Sequence, residues 1–219
     1  MADIFREVDE EVRKDELARL WQRWGKLAIA GVVALLVVVG AFSAWREWQA
    51  NRRAEAGTAF TVASELVAAG KYDEAAKAFA ALAEDGPWGY AGLARLRAGH
   101  ALAAAGRRDA ALATLDGLAT QGGAEPFLRD AARLAGAALL VDDGDPDDVR
   151  ARLAPLLEAG SPLKASAREL EGLLALRTGD TAGAAAIFRA LAEDASAPSG
   201  LRLRAAEIAA SLGGGGDGS

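Results

Sequence analysis

Apolar and polar positions divide this chain into two regimes. From Leu27 to Trp45 the sequence LAIAGVVALLVVVGAFSAW runs for 19 residues without a charge. At 1.5 Å per residue such a helix is roughly 28 Å long, close to the hydrocarbon thickness of a bilayer. From there onward apolar residues recur at helical rather than alternating spacing, and β-branched residues become scarce. That pattern predicts amphipathic helices and no sheet.

The second regime repeats itself. Four glycines, Gly70, Gly106, Gly144 and Gly179, follow one another at intervals of 36, 38 and 35 residues. Seven residues before each stands a small residue: Ala63, Gly99, Ala137, Gly172. Four before stand Leu66, Leu102, Leu140 and Ala175. Five after stand Ala75, Ala111, Val149 and Ala184; nine after, Phe79, Leu115, Leu153 and Phe188; twelve after, Leu82, Leu118, Leu156 and Leu191. Each unit therefore reads as a helical hairpin. Its glycine takes a left-handed turn at the end of the first helix, and acids begin the second. Small residues on the first helix let the second approach, and the Phe/Leu column fills the gap. Pro87, Pro126, Pro162 and Pro198 are expected in the opening turn of each new first helix. A single hairpin cannot bury its apolar face, so neighbours must stack. Leu201 to Leu212 reads as a closing helix, and the glycine-rich 213–219 as a disordered tail.

The flanks of the apolar run support a membrane span. Trp21 and Trp24 precede it, Trp45 and Trp48 follow it, and tryptophan favours the headgroup zone. A cleaved signal peptide fits poorly, because acidic residues crowd the segment before Lys26 and Trp45 follows the only small-residue cleavage site. Arg13, Lys14, Arg19, Arg23 and Lys26 on one side outnumber Arg46, Arg52 and Arg53 on the other. This bias places the N-terminus in the cytoplasm and the repeats across the membrane. The resulting organisation is a polar cytoplasmic segment (1–26), a transmembrane helix (27–45), a juxtamembrane linker helix (46–56), the repeat domain (57–212) and the tail. The first segment carries Leu17, Leu20, Trp21 and Trp24 at helical spacing. It reads either as an amphipathic helix on the membrane surface or as a solvated arm.

Composition removes several functions. The net charge of −6 argues against nucleic acid as a partner, and with no cysteine there is no thiolate nucleophile, disulfide or Cys-rich zinc site. His100 is the only histidine, too little for a catalytic pair or a metal centre. The run Asp142-Asp143-Gly144-Asp145-Pro146-Asp147-Asp148 lacks the glycine placement and closing Glu of a calcium loop and reads as a turn and helix N-cap. No cofactor, metal or catalytic site is expected, and no enzyme activity. What stacked hairpins do offer is an inner face on the first helices. Phe60, Ser64 and Val67 are expected there in the first unit, and Leu93, Leu96, His100 and Ala103 in the second. Leu134, Ala138 and Val141 represent the third, and Glu169, Leu173 and Leu176 the fourth. That surface is mostly apolar: either a groove for an apolar partner segment or, should the register turn by one residue, part of the core.

The small residues at Gly99 and Gly172, the Ala75 and Phe79 columns and Pro87 resemble the tetratricopeptide repeat, in a degenerate form short of consensus aromatics. The expected fold is all-α: one N-terminal transmembrane helix, then a tetratricopeptide-like α-solenoid of about four hairpins with a C-terminal capping helix. The order of FREVDEEVRKDELARLWQRWGK, spanning helix, AWREWQ and degenerate repeats resembles a narrower bacterial family. It is the single-pass ancillary subunit of the Sec translocon. That resemblance implies an inner-membrane protein with a periplasmic repeat domain. The implied partners are membrane lipid, translocon subunits, a membrane-anchored periplasmic prolyl isomerase, secreted client proteins and periplasmic chaperones. The alternatives are a scaffold for another envelope assembly or a regulatory adaptor acting through its cytoplasmic arm.

Overall fold

The computed structural model describes residues 3–158 and 160–213, with the backbone alone for 3–22, Ala28, Val32 and Trp88. Among these residues the chain is all helix. The helices are α1 (Asp3–Ala68), α2 (Tyr72–Asp85), α3 (Trp88–Ala104), α4 (Arg108–Thr120), α5 (Pro126–Leu140), α6 (Pro146–Leu157), α7 (Lys164–Arg177), α8 (Thr181–Glu193) and α9 (Ser199–Gly213). The chain forms two compact units, one ending at Arg53 and one beginning at Ala54. The tail beyond Gly213 and the side chains of residues 1–22 lie outside the described residues.

The second unit is built from the expected hairpins: the end of α1 with α2, then α3 with α4, α5 with α6, and α7 with α8, closed by α9. Inside each hairpin the sequence columns meet. Ala63 and Ala137 are fully buried, as are Phe79, Leu115, Leu153 and Phe188 from the second helices. A Cβ built on Gly99 would stand 2.7 Å from Leu115 Cδ2, and one on Gly172 would stand 2.7 Å from Phe188 Cζ. The helices cross at these positions too closely for a side chain. Ala75, Ala111, Val149 and Ala184 have no exposed surface. Each fully buried Phe or Leu contributes roughly 1.5–3 kcal/mol by leaving water. Phe60 from α1 stacks edge-on against Phe79, ring centroids 5.2 Å apart.

Three of the four turns share one geometry. Gly70, Gly106 and Gly179 have φ of 72°, 73° and 84°. The residue after each donates its N–H to the carbonyl five residues back: Lys71 to Leu66, Arg107 to Leu102, Asp180 to Ala175, all at 2.9 Å. This double closure satisfies helix-end carbonyls and requires a left-handed residue. Gly144 departs from the expectation, since its φ is not positive. Pro146 supplies the reason. A proline restricts the residue before it to extended backbone, and Asp145 accordingly has φ −60° and ψ 125°, whereas Lys71, Arg107 and Asp180 have ψ of 62°, 63° and 70°. The Gly144 N–H instead donates directly to the Leu140 carbonyl at 2.8 Å. The prolines also correct the expectation. Pro126 is a first-turn residue of α5, but Pro87 is the N-cap of α3, and Pro162 and Pro198 precede α7 and α9.

Stacking follows from the same repeat. Successive first helices touch, α3 with α5, α5 with α7 and α7 with α9, while among the described residues no two second helices approach each other backbone to backbone. The first helices therefore converge on one side of the stack and the second helices spread on the other. Polar ties cross between units at one repeat length. Arg107 pairs with Asp73 at 3.4 Å and Arg204 with Glu169 at 2.9 Å, and Arg177 Nη1 donates to the Gly144 carbonyl at 2.7 Å. The first hairpin has no predecessor. Where α3, α5 and α7 bury Ala94, Ala132 and Ala167 against the preceding hairpin, α1 presents exposed Thr58; where α3 and α7 bury Ala101 and Leu174, it presents exposed Glu65. A polar end is what a stacked array needs in water.

Candidate interaction surface

The inner side of the first helices is the surface that stacking leaves open, and its register differs from expectation. Leu96 is 8% exposed and Val141 6%, both core residues. Leu96 packs with Ala132 of the next hairpin, and Val141 packs with Ala167 and Leu174. Phe60, Leu134 and Leu176 are half-buried against the same inter-hairpin clusters. The physical reason is that α3, α5 and α7 are each sandwiched between two neighbours in the stack, whereas α1 has only a following one. Residues ten and three before the turn glycine face the following hairpin, whereas those twelve and five before face the preceding one.

What stays open is a stripe thirteen, nine, six and two residues before the glycine, at helical spacing. On α3 it is half-buried Leu93 with exposed Arg97, His100 and Ala104; on the α5 side it includes Ala138 and Asp142. Leu93 and His100, both expected on the inner face, lie on this stripe. Val67 is marginally exposed at 36%. Leu173 is half-buried where α9 packs over the fourth hairpin. The stripe is thus more polar than the apolar groove expected. Arg97 and Asp142 were missed because each sits one residue, or 100°, from a position assigned to the face. Partial desolvation of the His100 ring, and secondarily the Arg97 charge, hold its pKa below the ordinary histidine value. The imidazole is therefore neutral at pH 7.

Three acids of the run, Asp143, Asp145 and Asp147, are engaged within the fold. Asp145 caps α6, accepting from the Asp147 N–H at 2.8 Å, Asp147 pairs with Arg150 at 2.7 Å, and Asp143 forms a two-pronged bridge with Arg108. That bridge holds the exposed Asp143 carboxyl below its usual range. Among the described residues no three His, Asp or Glu side chains gather as a metal site.

The first unit carries its own surface. Within α1 an 18-residue window has a mean hydropathy of 2.6, and none of that window is buried. This helix is long and apolar enough to cross a membrane, and among the described residues nothing covers that window, as a core helix would be covered. Trp24, Trp45 and Trp48 are 58%, 51% and 54% exposed; the Trp21 side chain lies outside the described residues. Arg52 lies 5.3 Å from the Trp48 ring centroid and Arg46 5.8 Å from that of Phe42, so cations accompany the aromatics at this end.

No curated protein and no solved structure matches the chain. Residues 19–206 match the family model of the tetratricopeptide repeat-like domain. That match spans the repeats and the apolar helix before them, and with the stacked hairpins it places the chain in the tetratricopeptide repeat-like domain family.

Proposed function

We propose that the protein is a non-enzymatic, membrane-tethered interaction scaffold at the protein-export site, holding emerging secreted chains near periplasmic chaperones. The observation that carries the reading is the pairing, in one chain, of a bare apolar helix of spanning length with a repeat array whose first-helix face is open. Repeat domains of this kind bind other proteins through such faces. A tether raises the local concentration of the face beside its partner, so weak contacts suffice. In this reading α1 crosses the bacterial inner membrane with its N-terminus in the cytoplasm, and the repeats lie in the periplasm. The translocon, a membrane-anchored prolyl isomerase and periplasmic chaperones are the partners that the juxtamembrane resemblance brings forward.

The test is affinity isolation of the intact protein from membranes in mild detergent, read by mass spectrometry. Recovery of translocon subunits together with the prolyl isomerase supports the export-site scaffold. Their absence, with the protein folded and membrane-bound, removes it and leaves a tethered scaffold for another assembly.

A further inference from the structure

The second helices spread apart, so a cleft opens between each consecutive pair, floored by the first helix between them. There are three equivalent places: α2/α4 over α3, α4/α6 over α5, and α6/α8 over α7. The middle one is filled by the chain itself. Arg152, eight residues after its turn glycine, reaches from α6 to Asp116 on α4 in a two-pronged bridge, with Nη2 2.9 Å from Oδ2. Its guanidinium lies over Gly136, where an added Cβ would be 3.0 Å from Arg152 Nη1.

The third cleft lacks that filling. Ile187 stands where Arg152 stands, and Ala154 where Asp116 stands. The space is an open cleft of about 410 Å³ with apolar walls that include Leu153, Leu157 and Leu174. The position equivalent to Gly136, the floor beneath the internal guanidinium, is occupied by Glu171. The other charged groups of the lining are engaged: Arg150 with Asp147 at 2.7 Å, and Asp180 with the Gly183 N–H at 2.8 Å. Glu171 has no hydrogen-bond or ion-pair partner among the described residues.

We infer that the α6/α8 cleft is a binding site for an arginine side chain of a partner polypeptide, with the Glu171 carboxylate receiving the guanidinium and the apolar walls its stem. The middle repeat shows that a cleft between second helices takes up a guanidinium paired with a carboxylate, there over a bare glycine floor. There the acid comes from the neighbouring second helix; here it comes from the floor. A carboxylate facing an arginine offers two charge-assisted hydrogen bonds in a partly desolvated site. The site faces away from the first-helix stripe, and it stands whether or not the export-site reading does.

The experiment uses the full chain in neutral-detergent micelles with isoleucine methyl groups labelled for NMR. The probe is an acetylated, amidated pentapeptide of alanine with a central arginine, and the control carries citrulline, equal in shape but uncharged. The expected result is a saturable shift of the Ile187 methyl with the arginine peptide and binding about tenfold weaker or worse with citrulline. Glu171→Gln should weaken the arginine peptide to the citrulline level. The double variant Ala154→Asp/Ile187→Arg rebuilds the internal bridge and should abolish binding. Because this variant removes the reporter methyl, its binding is read by calorimetry. Equal response to both peptides, an unaltered response in Glu171→Gln, or no response at millimolar peptide overturns the inference. Glu171→Gln alters no buried packing, so its result stands even if the double variant fails to fold.

Discussion

Replacing Gly172 with alanine puts a methyl group into the closest contact of the fourth hairpin. The added Cβ would lie 2.7, 2.8 and 3.2 Å from three ring carbons of Phe188, against about 3.5–4.0 Å for a relaxed carbon pair. Phe188 is fully buried, so its ring cannot swing into solvent and the helices must part. Overpacking of this kind costs about 1–3 kcal/mol, and alanine returns about 1 kcal/mol of helix propensity, leaving a net loss of about 1 kcal/mol. Phe188→Leu alone leaves a gap and costs about 1 kcal/mol. Together the two changes convert the hairpin to the pairing that Ala137 and Leu153 make in the third hairpin. The clash is then gone while the propensity gain remains. The double variant should be no less stable than Phe188→Leu, so the singles couple by about 1–2 kcal/mol. The assay is urea unfolding of the full chain in neutral detergent, followed by far-UV circular dichroism. Single effects that add to within about 0.3 kcal/mol would refute the idea that the small-residue column is shaped by the ring opposite it.

Three further outcomes follow from individual contacts. Asp145→Ala removes the side-chain cap of α6 and should cost about 1 kcal/mol in the same unfolding assay, whereas Asp145→Asn should keep most of the stability. Because the folded-state pKa of His100 is lowered, folding releases protons there: its contribution is intact above the unfolded pKa and lost as pH falls below about 6.5 toward the folded value. His100→Gln should therefore flatten the decline in stability between neutral and mildly acidic pH, and an unchanged slope would count against the shift. Val33→Arg with Val37→Arg places two charges in the exposed apolar window of α1. At about 2.5–3.5 kcal/mol each in the insertion scale, the variant should be released from membranes by alkaline carbonate; retention in the pellet would argue against a spanning helix.

The hairpins were legible because their signal is local and repeated. A small residue seven before a glycine and an aromatic or leucine nine after it have one physical use, the close crossing of two helices, and four copies make the pattern visible. The third turn was not legible from its glycine alone. The neighbouring Pro146 decides the conformation of Asp145, and that in turn fixes what Gly144 does. The binding face lay further from reach. Leu96 and Val141 are as apolar as groove residues should be, yet they fill the seams between hairpins.

The sequence by itself determined the length and apolar character of the N-terminal helix, the number of hairpins and the columns that close each of them, since these depend on residues within one helix length or one turn. Only the tertiary structure decided which stripe of each first helix stays open, because burial there depends on two neighbouring hairpins and a shift of one residue turns the stripe by 100°. The clefts on the other side were decided in the same way. Arg152 and Asp116 stand 36 residues apart, and nothing local pairs them. The stacking of one repeat on the next brings them together in the middle cleft, and the absence of that pair in the next repeat leaves the cleft over Glu171 open.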